Sequence, residues 1–215
     1  MNQYTIEYSA WNHISPTDKK KFARGMKMSE SCAGAFSRFY FPKFGVAHAF
    51  GQLLRDYFNL NDTAPGGAYE DHMANLFAVK YLHHRRDSPY LDELSWWIEQ
   101  VMSESTKRIP FDIDKLNRNY PQIQSNKRTY MLMQCLSIRE AEKSYMSFTD
   151  TLSTVTEGHM NCTNPSIIFQ RDHCGENLVN ECLHLLFSCR NDFPSVKTVP
   201  VSSFGVQDLI HQKSE

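Results

Sequence analysis

The sequence predicts an all-α protein, a mainly helical globular domain with minor strand content near residues 3–9 and 196–201. Three observations predict this fold class. Apolar residues recur at helical spacing along most of the chain, two Ser-Pro pairs stand where helices would begin, and one long stretch carries an apolar stripe of nearly heptad spacing. Hydrophobic residues make up 41% and charged residues 22% of the 215-residue chain, and these ordinary values indicate a folded domain with a core.

In the N-terminal part we predict one strand and then a series of helices. Residues 3–9 alternate between apolar and polar, which is typical of a strand. Ser15-Pro16 and Ser88-Pro89 each combine an N-cap serine with a proline at the first helical position. The predicted helical segments cover residues 15–28, 29–41, 46–61, 69–84 and 88–101. The second of these stops before Pro42, because proline removes a backbone donor.

The C-terminal part begins after a stretch that predicts a linker. Residues 105–125 contain two prolines and at most a helical turn around Lys115. The strongest periodicity of the chain follows and predicts one helix over 127–156, which Gly158 ends. Its apolar stripe consists of Met131, Cys135, Ile138, Ala141, Tyr145, Phe148, Leu152 and Val155. A further helix is predicted around 178–189. The organisation is therefore an N-terminal helical part (1–104), a linker-like segment (105–125) and a C-terminal helical part (126–215), or one continuous domain.

The charge of the chain is balanced, with 23 Lys and Arg against 24 Asp and Glu. Such a chain has no overall field that would attract nucleic acid or an anionic membrane, so only a local patch could serve. The basic 19–27 helix offers one, because Lys20, Arg24 and Lys27 fall on one helical face. One hypothesis is therefore a small nucleic-acid-binding regulator, with zinc as a possible stabiliser of its C-terminal part.

Two histidines and two cysteines lie close together in the stretch GHMNCTNPSIIFQRDHC, residues 158–174. His159, Cys162, His173 and Cys174 could in principle hold zinc, but structural zinc ligands usually come in pairs two to four residues apart, and an adjacent His-Cys is an awkward pair for one metal. Cys174 could alternatively be a nucleophile at a helix N-terminus, with His173 or His159 as its base. We expect neither and predict no metal and no cofactor.

The leading hypothesis is a non-enzymatic helical protein that scaffolds or regulates other proteins. The chain contains no HExxH, P-loop, GxGxxG or GxSxG motif, and we interpret the acidic Glu70-Asp71 pair as the first turn of a helix. We expect self-association through the 127–156 helix, with Tyr145, Phe148 and Leu152 in the interface. The start of the sequence lacks the pattern of a signal peptide, and its apolar runs are too short to cross a membrane, so we expect a cytoplasmic protein without membrane contact.

Overall fold

The computed structural model describes residues 10–58, 60, 67–103 and 111–158, and in these residues it contains helices and their connections but no strand. The helical fold class is therefore confirmed. The predicted strands at 3–9 and 196–201 and the predicted helix around 178–189 lie outside the described residues. The α-helices are α1 (Pro16–Met26), α2 (Glu30–Tyr40), α3 (Val46–Tyr57), α4 (Ala68–His84), α5 (Ser88–Ser103), α6 (Ile113–Arg118), α7 (Tyr120–Ser125), α8 (Lys127–Lys143) and α9 (Phe148–Val155).

Helix α4 is the centre of the fold. Every residue from Met73 to Leu82 is buried, because α3, α5, α8 and α9 all pack against this helix. Its apolar residues therefore surround it instead of forming one stripe, as expected of a helix in the middle of a core. The crossing with α3 is close: a Cβ atom on Gly51 would lie 3.0 Å from the Cα of Ala74, so a larger residue there would push the two helices apart.

The expected helix end before Pro42 is wrong. The chain continues from α2 through a π-helical segment, Phe41–Gly45, directly into α3. The hydroxyl of Tyr90, on α5, accepts a hydrogen bond from the backbone N–H of Phe44 (3.1 Å) and donates to the carbonyl of Phe39 (3.2 Å). A side chain from another helix thus satisfies the backbone groups that the irregular turn leaves unpaired, which is how a proline is accommodated there.

The prediction of one helix over 127–156 is also wrong. Helix α8 ends at Lys143, Ser144 takes an extended conformation, and α9 begins at Phe148. Ser147 and Asp150 form a capping box at the start of α9, and the ammonium of the buried Lys80 donates to the carbonyl of Ser144. These interactions stabilise a break that the apolar spacing alone does not reveal. The predicted helix end at Gly158 is confirmed, because its N–H bonds to Ser153 at φ +80°.

Part of the predicted linker is helical. Helices α6 and α7 pack against α4 and α8, and the N-terminus of α6 is capped by Asp112. One apolar cluster extends from Trp11 to Val155, so the described parts of the N-terminal and C-terminal segments share a core.

Two arginines connect distant helix ends. Arg128, at the start of α8, donates to the carbonyls of Met26 (2.7 Å) and Val101 (3.2 Å), near the C-termini of α1 and α5. Arg55 on α3 is only 1% exposed and donates to the carbonyl of Val155 (3.0 Å), at the end of α9. Carbonyls at helix C-termini lack partners within their own helix and carry partial negative charge, so a guanidinium group is a favourable cap.

Candidate functional site

The residues predicted to bind nucleic acid are on the surface. Lys20 and Arg24 are exposed on α1, and Lys27 is exposed as the C-cap of that helix, in a left-handed conformation (φ 52°). Of the smaller basic pair Lys127-Arg128, the arginine is committed to the two helix ends that it caps. The predicted patch is therefore present as the three side chains of α1.

The three residues of the predicted oligomer interface do not form one surface. Leu152 is 4% exposed and belongs to the core. Phe148 packs on α4, with its ring 5.0 Å from that of His84 and 5.7 Å from that of Phe77. Tyr145, in the break between α8 and α9, is fully exposed. The break explains the difference, because it turns the stripe of α9 toward α4 and leaves Tyr145 outside.

The predicted zinc or nucleophile residues, His159, Cys162, His173 and Cys174, lie outside the described residues. Within the described part of the chain, no group of three or more His, Cys, Asp and Glu side chains could hold a metal ion. Burial raises the pKa of the Cys135 thiol to about 12, and this residue belongs to the apolar core as a small hydrophobic side chain.

A polar cluster that the sequence analysis did not predict lies in the core around Asp71. This carboxylate on α4 is 3% exposed. One of its oxygens, Oδ2, accepts hydrogen bonds from the hydroxyls of Tyr120 and Tyr130 (both 3.0 Å) and from the amide of Gln134 (2.7 Å), while Oδ1 accepts from Gln52 (3.2 Å). Burial raises the pKa of Asp71 to about 6 although these hydrogen bonds act in the opposite direction.

His48 and Asn75 extend this cluster between α3, α4 and α8. His48 Nδ1 lies 2.8 Å from Asn75 Oδ1, and its Nε2 lies 3.8 Å from Asp71 Oδ1. Asn75 in turn donates to Gln134 (2.7 Å) and to Ser137 (2.9 Å). Burial lowers the pKa of His48 to about 4, so at neutral pH the imidazole is neutral beside an ionised Asp71.

The Asp71 cluster resembles a catalytic site only in its shifted pKa values. Its central groups are 3% exposed or less, and their polar atoms are largely engaged with one another. Such a network fixes the mutual positions of four helices. The predicted acidic first turn of α4 is present, but Asp71 points into the core and not toward the solvent. Its i+4 partner Asn75 is the one signal that could have indicated a polar stripe there.

The outer face of α5 is the exposed feature that the packing does not explain. Trp96 is 53% exposed, whereas Trp11 and Trp97 are 8% and 7% exposed. The Trp96 ring packs edge-on against Trp97 at 4.8 Å, and Trp97 packs in the same way against Phe36 at 5.6 Å. The exposed ring is therefore held by a chain of buried aromatic side chains.

Acidic residues surround this ring. Asp92, Glu93 and Glu99 are exposed and lie four or three residues from Trp96, so all of them neighbour it on the helix surface. We refer to Asp92, Glu93, Trp96 and Glu99 as the Trp96 face. Arg139 of α8 approaches Glu99 at 3.5 Å, as an exposed ion pair that contributes little to stability.

A surface groove of about 420 Å³ continues from this face toward the start of α5. Its floor contains the stacked rings of Phe39 and Tyr90, 4.5 Å apart. Lys43 lies at its side, 2.8 Å from Asp87 and 4.9 Å from the centre of the Tyr90 ring. Glu93 belongs both to the groove and to the Trp96 face, so the two form one continuous surface.

Comparison with protein-family models, with curated proteins and with solved structures gave no match to this chain. None of the described helices has the length and apolar character that a membrane span requires. The function must therefore be argued from the site itself.

Proposed function

We propose that this protein is a helical interaction protein, a scaffold or adaptor, that binds a basic helical segment of a partner through the Trp96 face. The observation that carries the proposal is the exposure of Trp96, in a domain that buries Trp11 and Trp97. Tryptophan is strongly enriched among the residues that dominate binding energy at protein interfaces. A ring that is already held in place loses little conformational entropy when a partner covers it.

The charges of the face favour a cationic partner. Three carboxylates around one indole ring attract Lys and Arg, and the ring itself attracts a cation placed over its face. A Lys- or Arg-rich helix could place its cations at the spacing of Asp92, Trp96 and Glu99. The adjoining groove, with the rings of Phe39 and Tyr90 on its floor, offers apolar surface for a neighbouring side chain of the partner.

The test uses a fluorescein-labelled, alanine-based helical peptide with Lys, Arg and Lys spaced four and three residues apart. Fluorescence anisotropy should show that it binds the wild-type protein, and that Trp96→Ala weakens binding about tenfold, as expected for the loss of a cation–π contact and its apolar area. Tyr145→Ala removes another exposed aromatic ring and should bind like the wild type. A peptide with Glu at the three positions should not bind. Equal affinity of the wild type and Trp96→Ala would refute the proposal.

A further inference from the structure

We infer that the Trp96 face is occupied by the basic face of α1 from a second copy of this chain. The basic face consists of Lys20, Arg24 and Lys27, all exposed. This inference rests on the proposed function and names the partner. It also moves the expected self-association from the 127–156 segment to two other surfaces, one on α1 and one on α5.

The two faces have the same spacing. Lys20, Arg24 and Lys27 are four and three residues apart, and so are Asp92, Trp96 and Glu99. On an α-helix a separation of seven residues spans about 10.5 Å. When the two helices lie side by side in parallel, each lysine meets a carboxylate and Arg24 meets the Trp96 ring. In the antiparallel orientation Arg24 still meets the ring, and each lysine is displaced from a carboxylate by one residue, about 1.5 Å.

The side chains that neighbour the basic face are occupied within their own chain. Lys21 pairs with Asp18 at 3.5 Å, and Lys19 lies 5.7 Å from the centre of the Trp11 ring. The face therefore presents Lys20, Arg24 and Lys27 outward, with the spacing that the Trp96 face requires. An arginine over tryptophan is also the favoured cation–π pair.

A second copy satisfies both faces at once. The chain carries a net charge of −1, and its basic and acidic faces complement each other, so a pair in which each copy binds the other with both faces leaves neither exposed. Arg128 holds the C-terminal ends of α1 and α5 together through Met26 and Val101, so the two faces belong to neighbouring parts of the surface. Nucleic acid on the basic face would leave the Trp96 face exposed, and the balanced charge does not favour it.

The experiment reverses the charges on one face at a time. Lys20→Glu/Arg24→Glu makes both faces acidic, and Asp92→Lys/Glu99→Lys makes both basic. Light scattering coupled to gel filtration should show self-association of the wild type at low salt and monomers of either variant alone. An equimolar mixture of the two variants should associate again, because each reversed face then meets an opposite one. In about 1 M salt, where the Debye length falls to about 3 Å, wild type and mixture should dissociate.

The control is Lys115→Glu/Arg118→Glu, which makes the same change in charge on the exposed face of α6 and should associate like the wild type. The inference is overturned if the wild type is monomeric at high concentration, if either variant associates like the wild type, or if the mixture stays monomeric. A monomeric wild type that carries nucleic acid, which Lys20→Glu/Arg24→Glu loses, would assign α1 to that partner instead. If the wild type is monomeric but binds the basic peptide through Trp96, the proposed function stands and only the second copy is excluded.

Discussion

Asp71 and His48 lie 3.8 Å apart in the core, and burial shifts their pKa values in opposite directions. Between about pH 4 and 6 the folded protein keeps a proton on Asp71 that the unfolded chain, with a pKa of 3.8, has mostly released. In the same range the unfolded chain keeps a proton on His48, whose pKa of 6.5 falls to about 4 on folding. The number of bound protons is then nearly the same in both states, so this pair leaves the free energy of unfolding almost independent of pH.

Removal of either partner should therefore reveal a pH dependence. In Asp71→Asn only His48 remains, and the folded state then binds fewer protons than the unfolded state, so the free energy of unfolding should rise by about 3 kcal/mol, relative to the wild type, as pH increases from 4 to 6.5. In His48→Gln only Asp71 remains, and the free energy of unfolding should fall by a similar amount between pH 4 and 6. Urea unfolding across this range measures both curves. Two flat difference curves would contradict the opposed shifts.

At the scale of single residues the sequence predicted the local caps better than the buried polar groups. The Ser15 N-cap is confirmed, because a serine followed by proline acts within one turn of chain. The Asp71 cluster could not be predicted, because its partners come from three other helices, as far along the chain as Gln134. For the same reason the exposure of Trp96 could not be distinguished from the burial of Trp97 before the packing of α2 against α5 was known.

At the scale of elements, side chains from distant helices determine where helices bend and end. Tyr90 stabilises the π-helical segment, Arg128 caps α1 and α5, and Lys80 holds the break between α8 and α9. The sequence analysis missed the first and the third feature for different reasons. Pro42 was read as a helix end because the acceptor that compensates for it is 46 residues further on, beside Phe44. The capping box of Ser147 and Asp150 was readable, but the regular apolar spacing across it favoured one continuous helix.

Tyr90→Phe should destabilise the protein without changing its fold. The substitution keeps the stacked ring and removes only the hydroxyl, so the N–H of Phe44 and the carbonyl of Phe39 lose a buried partner. A loss of about 1–3 kcal/mol in the free energy of unfolding is expected, measured by urea denaturation. Tyr145→Phe removes the hydroxyl of an exposed ring and should be neutral. If Tyr90→Phe is equally neutral, the hydroxyl does not support the π-helical segment.

Arg128→Met should separate the capping role of this residue from its packing. Methionine retains an apolar stem but offers no donor to the carbonyls of Met26 and Val101. We expect a loss of about 2–3 kcal/mol, since hydrogen bonds from a charged group are stronger than neutral ones. The neighbouring Lys127→Met removes a charge without such bonds and should cost less. Hydrogen exchange should also locate the loosening at the ends of α1 and α5 and not at α9, which Arg55 caps.

At the scale of the whole molecule, the described residues form one helical unit around α4. The helical class could be predicted because it depends on local spacing, which each element carries in its own sequence. The arrangement of the surface could not, because it depends on which face of each helix the core occupies. Phe148 and Leu152 show this: their spacing fits an interface or a core equally well, and packing against α4 decides for the core.

The predicted interface in α9 gives a test of this arrangement. Phe148→Glu would place a carboxylate among the rings of Phe77, Tyr81 and His84. It should lower the free energy of unfolding by about 3 kcal/mol or more, because the charge would be partly buried without a partner. Tyr145→Glu, at the exposed position of the same stripe, should leave it unchanged. Thermal unfolding followed by circular dichroism measures both, and a Phe148→Glu protein as stable as the wild type would place this ring on a free surface.

The central claim is that binding takes place on the Trp96 face, and acrylamide quenching of tryptophan fluorescence tests it most directly. Trp11 and Trp97 are buried and Trp96 is half exposed, so the readily quenched emission should come from Trp96 and should disappear in Trp96→Phe. Addition of the basic helical peptide should protect this emission from acrylamide, because the partner covers the indole ring. Binding of the peptide with unchanged quenching of Trp96 would show that the partner lies elsewhere and would contradict the claim.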